Sequence, residues 1–321
     1  MTGSPRESAA RWLRDFPARS ALKFTNMRHV RLWLGQRHAR ALHRHRDALP
    51  GLAQGDAAIV EALDTNGICV TSLDRLALPG ADALLAQAGA LAEAFVEEAR
   101  ALARGGRDFI IVPPADIARH PDIYLWGLQD RLLDIAEAYI GLPVAYDGVA
   151  INYTVADGRA ISTRKWHRDW EDRRVLKVAV YLHDVDAEGG PFEQISRHDT
   201  LQSDRGGFNY DLADDAELER ILGRSPEKDV VSCTGPRGTV VFCDTARFFH
   251  RGKPATARDR AALFYSFFAN PPRHPFFCER TGLSRAQIAG LASDLTGRQR
   301  AAALWRRQVP PLLRLIPRHS L

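Results

Sequence analysis

No stretch of about 18 uncharged apolar residues occurs in the 321-residue chain, so the sequence offers no helix that would span a bilayer. The opening MTGSPRESAARWLRDF breaks its apolar residues with charge, unlike a secretory signal peptide, and a soluble cytoplasmic protein is expected. Cysteine is scarce. Cys69, Cys233, Cys243 and Cys278 lie far apart with no CxxC pair, which argues against a clustered zinc site and against a disulfide framework and leaves four free thiols as the expectation. Internal repeats are absent, as is low-complexity sequence apart from the arginine-rich ends.

Acidic residues are almost missing from the two ends. Residues 1–46 hold 11 Lys and Arg against two acidic residues and 298–321 hold six against none, so the part between them is net acidic although the whole chain is +5. Basic ends suit nucleic acid, an anionic membrane surface or an acidic substrate, but an arginine-rich helical face in water is the simpler reading. Trp12, Phe16, Phe24 and Trp33 fall among those arginines, and their helical spacing assigns them to packing.

What is present is a globular composition with 45% hydrophobic residues, enough for a sizeable core. Residues 1–46 read as a basic, mostly helical extension. Helical patterns follow at Asp56 to Leu63, at Pro79 to Arg104 with Gly105-Gly106 as the stop, and at Ile123 to Ile140 closed by Gly141 and Pro143. Phe109 to Val112 reads as a short strand ended by two prolines. From 144 to 270 the apolar runs become short and β-branched or aromatic, at Val149–Val155, Val175–Leu182, Val230–Ser232, Thr239–Cys243 and Ala262–Phe268. Turn-rich pieces separate these strands, with a helical excursion around Asp214–Leu222. Helical periodicity returns from Ser284 to Leu295 and from Arg298 to Gln308. The expected organisation is one domain over 47–275, with a helical basic tail over 276–321 packed on it.

The passage richest in chemistry is Trp166-His167-Arg168-Asp169, with His250 placed 83 residues beyond His167. Two histidines and a carboxylate suit Fe(II) and leave coordination positions open. In an extended segment His167 and Asp169 project to the same face, as chelation of one ion requires. His250 must come from another strand, and it follows the hydrophobic run GTVVFCD.

With W-H-R-D (166–169), K-V-A-V-Y-L-H-D-V-D (177–186), G-G-P-F-E-Q-I-S-R-H (189–198), G-T-V-V-F-C-D-T (238–245) and F-H-R-G-K-P (249–254) in this order, the sequence resembles the phytanoyl-CoA dioxygenase family of Fe(II)/2-oxoglutarate oxygenases over residues 140 to 270. The resemblance implies an α+β, mainly β fold: a double-stranded β-helix, jelly-roll and cupin-like, with flanking helices. It implies His167, Asp169 and His250 as iron ligands, with 2-oxoglutarate and O2 as cosubstrates and succinate and CO2 as coproducts. It further implies an arginine for the distal carboxylate of 2-oxoglutarate. Arg260 fits this role, with Ser266 on the same strand face, and Arg258 competes. The spacing after His250 is slightly short, and Ala262 stands where relatives often carry a hydroxyl. Asn152, beside Tyr153 on the strand before the HxD, is a further cosubstrate contact. Lys177 interrupts an apolar strand and calls for a carboxylate inside the barrel. Trp166 lines the pocket or packs, and His198 ends a turn motif.

Aspartate at 169, where related halogenases have glycine or alanine, favours hydroxylation, desaturation or cyclisation over chlorination. The substrate is a small molecule of unspecified identity. Two other classes remain: an inert β-helix scaffold whose basic termini bind nucleic acid or an anionic membrane, and a zinc hydrolase, for which no general base is evident. Nucleic acid is the less expected partner, and peripheral membrane contact through the basic termini stays open.

Overall fold

The computed structural model describes residues 5–196, 207–279, 281–295 and 297–319. Its strands are β1 (Ile68–Ser72), β2 (Val144–Thr154), β3 (Leu176–Tyr181), β4 (Phe192–Ile195), β5 (Val230–Cys233), β6 (Thr239–Asp244), β7 (His250–Gly252) and β8 (Arg260–Ala269). Five form an antiparallel sheet in the order β1-β6-β3-β8-β2, and three form a second in the order β5-β4-β7. A bridge between His167 and His250 adds the segment around 167 beside β7. From β2 onward the chain passes back and forth between the sheets, through the 167 segment, β3, β4, β6, β7 and β8, except that β4 and β5 are neighbours in the smaller sheet. This is a double-stranded β-helix of the jelly-roll, cupin-like kind.

Side-chain alternation builds its layers. On β8, Ala261, Leu263, Tyr265 and Phe267 enter the main apolar cluster, which also takes Leu84, Ala88, Leu132, Leu133 and Ala136 from the helices outside. The intervening Arg260, Phe264, Ser266 and Phe268 line the interior. Each buried Leu or Phe contributes about 1.5–3 kcal/mol, so a one-residue slip of β8, which would take Leu263, Tyr265 and Phe267 out of the apolar cluster and put Arg260 and Ser266 into it, is strongly disfavoured.

The helices follow the sequence pattern with three breaks, one of them in the run expected at Arg298 to Gln308, which divides into the helix Gly297–Ala303 and a 3-10 turn at Trp305–Gln308. The run expected at Pro79 to Arg104 is two helices, Ala81–Ala94 and Val96–Arg104, because the chain turns at Phe95 and seats its buried ring against Tyr153. The run expected at Ile123 to Ile140 divides into Pro121–Trp126 and Asp130–Ile140. At the break, a Cβ on Gly127 would come within 2.5 Å of the Tyr146 hydroxyl. Gly141 ends the second helix in a left-handed conformation, its N–H reaching the Glu137 carbonyl at 2.7 Å. Of the strand expected at 109–112, only Ile111 pairs, bridging to Asn152.

The N-terminal piece forms two helices, Pro5–Asn26 and Arg28–His45. The first is anchored by Ala18, which is buried with Phe276 and Phe277, and by Leu22 beside them. Here the expectation that the aromatic residues pack is overturned for Phe16, Phe24 and Trp33, which are all more than half exposed, while the Trp12 side chain lies outside the described residues. The apolar residues that bury on this helix are small, because its inner face lies close against the body.

His274 pins this helix. It is fully buried, its Nδ1 lies 2.7 Å from the Trp170 carbonyl, and its Nε2 lies 3.1 Å from the Thr25 hydroxyl. Burial, with Arg273 nearby, pushes its pKa down to about 3, so the ring is neutral: Nδ1–H donates to the carbonyl and Nε2 accepts from Thr25. An unfolded histidine titrates near 6.5, so between about pH 6.5 and 3 the unfolded chain binds a proton that the folded chain refuses. Stability is therefore present above this window and is lost as the pH falls through it. Between pH 7.5 and 5 the parent should lose roughly 2 kcal/mol more stability in urea unfolding than His274→Gln does; an identical pH slope in the variant would remove His274 as a cause.

Candidate metal centre and active site

The hydrogen bonds of the smaller sheet set the geometry of the centre. His167 and His250 exchange both backbone hydrogen bonds at 3.0 Å, and the Asp169 N–H donates to the Thr245 carbonyl at 2.7 Å. The 83-residue gap in sequence is thus closed by one antiparallel bridge. His167, Asp169 and His250 are all buried, and each offers one ligand atom within 4.8 Å of the others. The His250 Nε2 to Asp169 Oδ2 distance is 4.0 Å.

Both histidines have their second nitrogen occupied. His167 Nδ1 lies 2.8 Å from the Lys165 carbonyl, and His250 Nδ1 lies 3.3 Å from the Phe248 carbonyl. A carbonyl accepts only from N–H, so each Nδ1 carries the proton and each Nε2 presents a lone pair. Burial and the neighbouring His167 hold His250 well below the usual histidine range, which keeps it neutral. Three such donors, one of them anionic, fit a divalent cation of the iron type. The thiols do not compete: all four cysteines are free, and burial pushes Cys233 up to about 12 and Cys243 well above its ordinary value.

The triad opens into a cavity of about 1110 Å³, its mouth to solvent included, which also takes in Asn152, Thr154, Arg164, Glu171, Lys177, Arg260, Phe264 and Ser266. Lys177, the lysine that interrupts β3, meets the carboxylate it calls for: its ammonium contacts Asp169 Oδ2. Arg164 is paired with Asp157.

Arg260 differs from both. It is 4% exposed, its guanidinium donates to the Gly190 carbonyl and, at 3.1 Å, to the Thr154 hydroxyl, and its Nε is buried without an acceptor. No carboxylate among the described residues is within ion-pair distance of it. Burial pushes its pKa down, while Tyr181 nearby opposes the shift, and arginine stays charged even so. A cation placed in this way costs free energy unless an anion joins it. Gly252 makes the room: a Cβ there would come 2.8 Å from a guanidinium nitrogen. Arg258 is mostly exposed and is paired with Asp186 outside the cavity. Asn152 and Ser266 are half-buried on the neighbouring strands β2 and β8, both lining the cavity. Trp166 is buried in a separate cluster with Ile195, Ala213, Leu218 and Phe249, so it packs. His198 lies outside the described residues.

Several supporting groups escaped the sequence reading. Asp244 ends β6 fully buried, accepting from the backbone N–H of Ala246 and Arg247 at 3.0 and 3.1 Å and from the Tyr139 hydroxyl at 2.6 Å. It shapes the turn that delivers His250, and an aspartate followed by threonine at a strand end was the available signal. Tyr210, from the insert between the ligand segments, lies 5.3 Å from the His167 ring and 5.1 Å from Trp170, centroid to centroid. Nothing in its local sequence marks that position.

No family model and no curated protein matches the chain. Solved structures do. EctD from S. alaskensis, crystallised with 2-oxoglutarate and 5-hydroxyectoine, is 21% identical, with a TM-score of 0.45 over 70% of this chain and 78% of that one. The epimerase SnoN, in complex with Fe3+, alpha ketoglutarate and nogalamycin RO, is 17% identical, with a TM-score of 0.44 over 76% and 91%. HygX from Streptomyces hygroscopicus, with nickel and 2-oxoglutarate bound, is 16% identical, with a TM-score of 0.42 over 72% and 90%.

Proposed function

We propose that the cavity is the active site of an iron(II)- and 2-oxoglutarate-dependent oxygenase that oxidises a C–H bond of a small organic substrate. The observation that carries this reading is the pairing, in one cavity, of a buried His-Asp-His triad with a buried guanidinium that has no carboxylate partner among the described residues. His167, Asp169 and His250 would hold the metal, and Arg260 would take the distal carboxylate of the cosubstrate in its planar fork. When bound, iron and 2-oxoglutarate supply the oxidising chemistry, with O2 consumed and succinate and CO2 as coproducts.

The chain's own residues bind, orient and exclude water. The Lys165 and Phe248 carbonyls keep the imidazole protons on Nδ1. The Thr154 hydroxyl fixes one arm of Arg260, while Asn152 and Ser266 offer polar atoms beside it. Phe192, Phe264 and Val175 line the cavity with apolar surface and limit water near the metal position. Asp169 fills the third protein position, which favours hydroxylation over halide transfer. A hydrolytic zinc site would give the buried Arg260 no task.

The test is anaerobic titration of the protein with Fe(II) and then 2-oxoglutarate, followed by admission of air. A weak visible charge-transfer band that needs both additions is expected, with succinate formed on aeration. Correctly folded protein that gives neither band nor succinate would sink the proposal.

A further inference from the structure

We infer that the two N-terminal helices form a docking face for an anionic phospholipid surface, independent of the cavity. No residue of the helix Arg28–His45 is buried, so one whole element lies on the protein with its outer sides bare. It is nonetheless held firmly. Asn26, the last residue of the first helix, exchanges two hydrogen bonds with the Phe208 backbone at 2.8 and 3.0 Å, and at the far end of the second His45 meets Glu137 at 2.7 Å.

The bare surface combines two chemistries. Leu13, Phe24 and Met27 recur at multiples of the helical repeat along one side of the first helix and its end, and Leu32 and Trp33 follow on the second; Phe24 is 60% exposed and Trp33 54%. Basic residues accompany them. Lys23 and Arg28 are exposed beside the first set. Arg37, Arg40 and Arg44 run along the same side of the second helix as Trp33, and the Arg37 guanidinium lies 4.9 Å over its ring. The C-terminal turn, whose Ile316 packs in the Ala18 cluster, adds Leu312 at 79% exposure.

Large apolar side chains left in water on two helices that pack on each other mark a binding surface. Apolar groups flanked by arginine and lysine match the boundary between acyl chains and phosphate headgroups, where the first enter and the second pair with phosphate. Nucleic acid would engage the arginines but has no use for Leu13, Met27 and Leu32. A second copy would bring the same excess of 11 basic over two acidic residues to the contact. Among the described residues no helix is long and apolar enough to cross a membrane, so the contact is with a surface.

Sedimentation of the full chain with vesicles of phosphatidylcholine alone, or of phosphatidylcholine mixed with phosphatidylglycerol, tests this. Partition onto the mixed vesicles should be at least about tenfold stronger. The double variant Phe24→Ser/Trp33→Ser should lose most of it, and Arg37→Glu/Arg40→Glu/Arg44→Glu should lose the preference for anionic lipid. Because these side chains are exposed, thermal midpoint and succinate formation should stay at the parent level. Equal partition onto both vesicles, undiminished binding by the variants, tight duplex DNA binding without vesicle binding, or a concentration-dependent dimer abolished by the same substitutions would each overturn the inference.

Discussion

Arg260→Gln should raise the 2-oxoglutarate concentration needed for half-saturation by about a hundredfold or more while leaving Fe(II) affinity within a few-fold of the parent. Truncating one partner of a buried, hydrogen-bonded charge pair costs roughly 2–5 kcal/mol, which sets that scale. The effect on stability should be unlike that of most buried arginines. In the ligand-free protein Arg260 donates to a carbonyl and a hydroxyl but has no anion, and one of its N–H groups is unsatisfied. Its removal therefore deletes a buried charge whose desolvation is only partly offset, and urea unfolding should change by less than about 1 kcal/mol. Saturating metal and 2-oxoglutarate should stabilise the parent in proportion to ligand occupancy and the variant hardly at all. Arg258→Gln, at a mostly exposed residue paired with Asp186, serves as the control and should leave the cosubstrate requirement unchanged. A parent-like 2-oxoglutarate titration for Arg260→Gln, or a large shift for Arg258→Gln, would refute the assignment.

The parts of this arrangement that were readable in the sequence follow from short-range rules. A two-residue spacing puts His167 and Asp169 on one side of an extended segment whatever the rest of the chain does. Long apolar β-runs such as Thr239–Asp244 and Arg260–Ala269 announce themselves because both of their faces are covered. By contrast, Phe192–Ile195 and His250–Gly252 are short, and polar residues occupy half of the former and most of the latter, so periodicity has too little to act on. Their strand state comes from the partners they meet across the small sheet. The same limit explains Asp244 and Tyr139, which are 105 residues apart and become one device only when the helix Asp130–Ile140 packs on the sheet and its Tyr139 reaches the end of β6. It also explains the N-terminal helices: periodicity showed which residues share a face, but whether that face meets protein or solvent is decided by the surface opposite, which no local pattern encodes.

Asp169 and Lys177 should behave as a coupled pair, and their double-mutant cycle carries the second large effect. Asp169→Ala removes the only anionic donor of the triad and should weaken divalent-metal binding by more than about a hundredfold, beyond the 10–100-fold range seen for groups that merely orient ligands. It also takes from Lys177 the carboxylate that its ammonium contacts inside the barrel, so the metal-free protein should lose about 3 kcal/mol, near the lower end for a broken buried pair because Lys177 keeps 20% of its side chain in solvent. Lys177→Met should act in the opposite direction on the metal. A divalent ion and the ammonium share one carboxylate, and like charges a few ångströms apart in a partly buried site repel by at least about 1–2 kcal/mol, so metal alone should bind about tenfold more tightly or better. The double variant Asp169→Ala/Lys177→Met should recover most of the lost stability and none of the metal affinity, because it removes the buried charge along with its partner. The readouts are metal titration followed by calorimetry and unfolding of the metal-free protein in urea. Additive losses in the double variant would mean that the two side chains act independently, and weaker metal binding by Lys177→Met would mean that the ammonium orients Asp169 more than it opposes the ion.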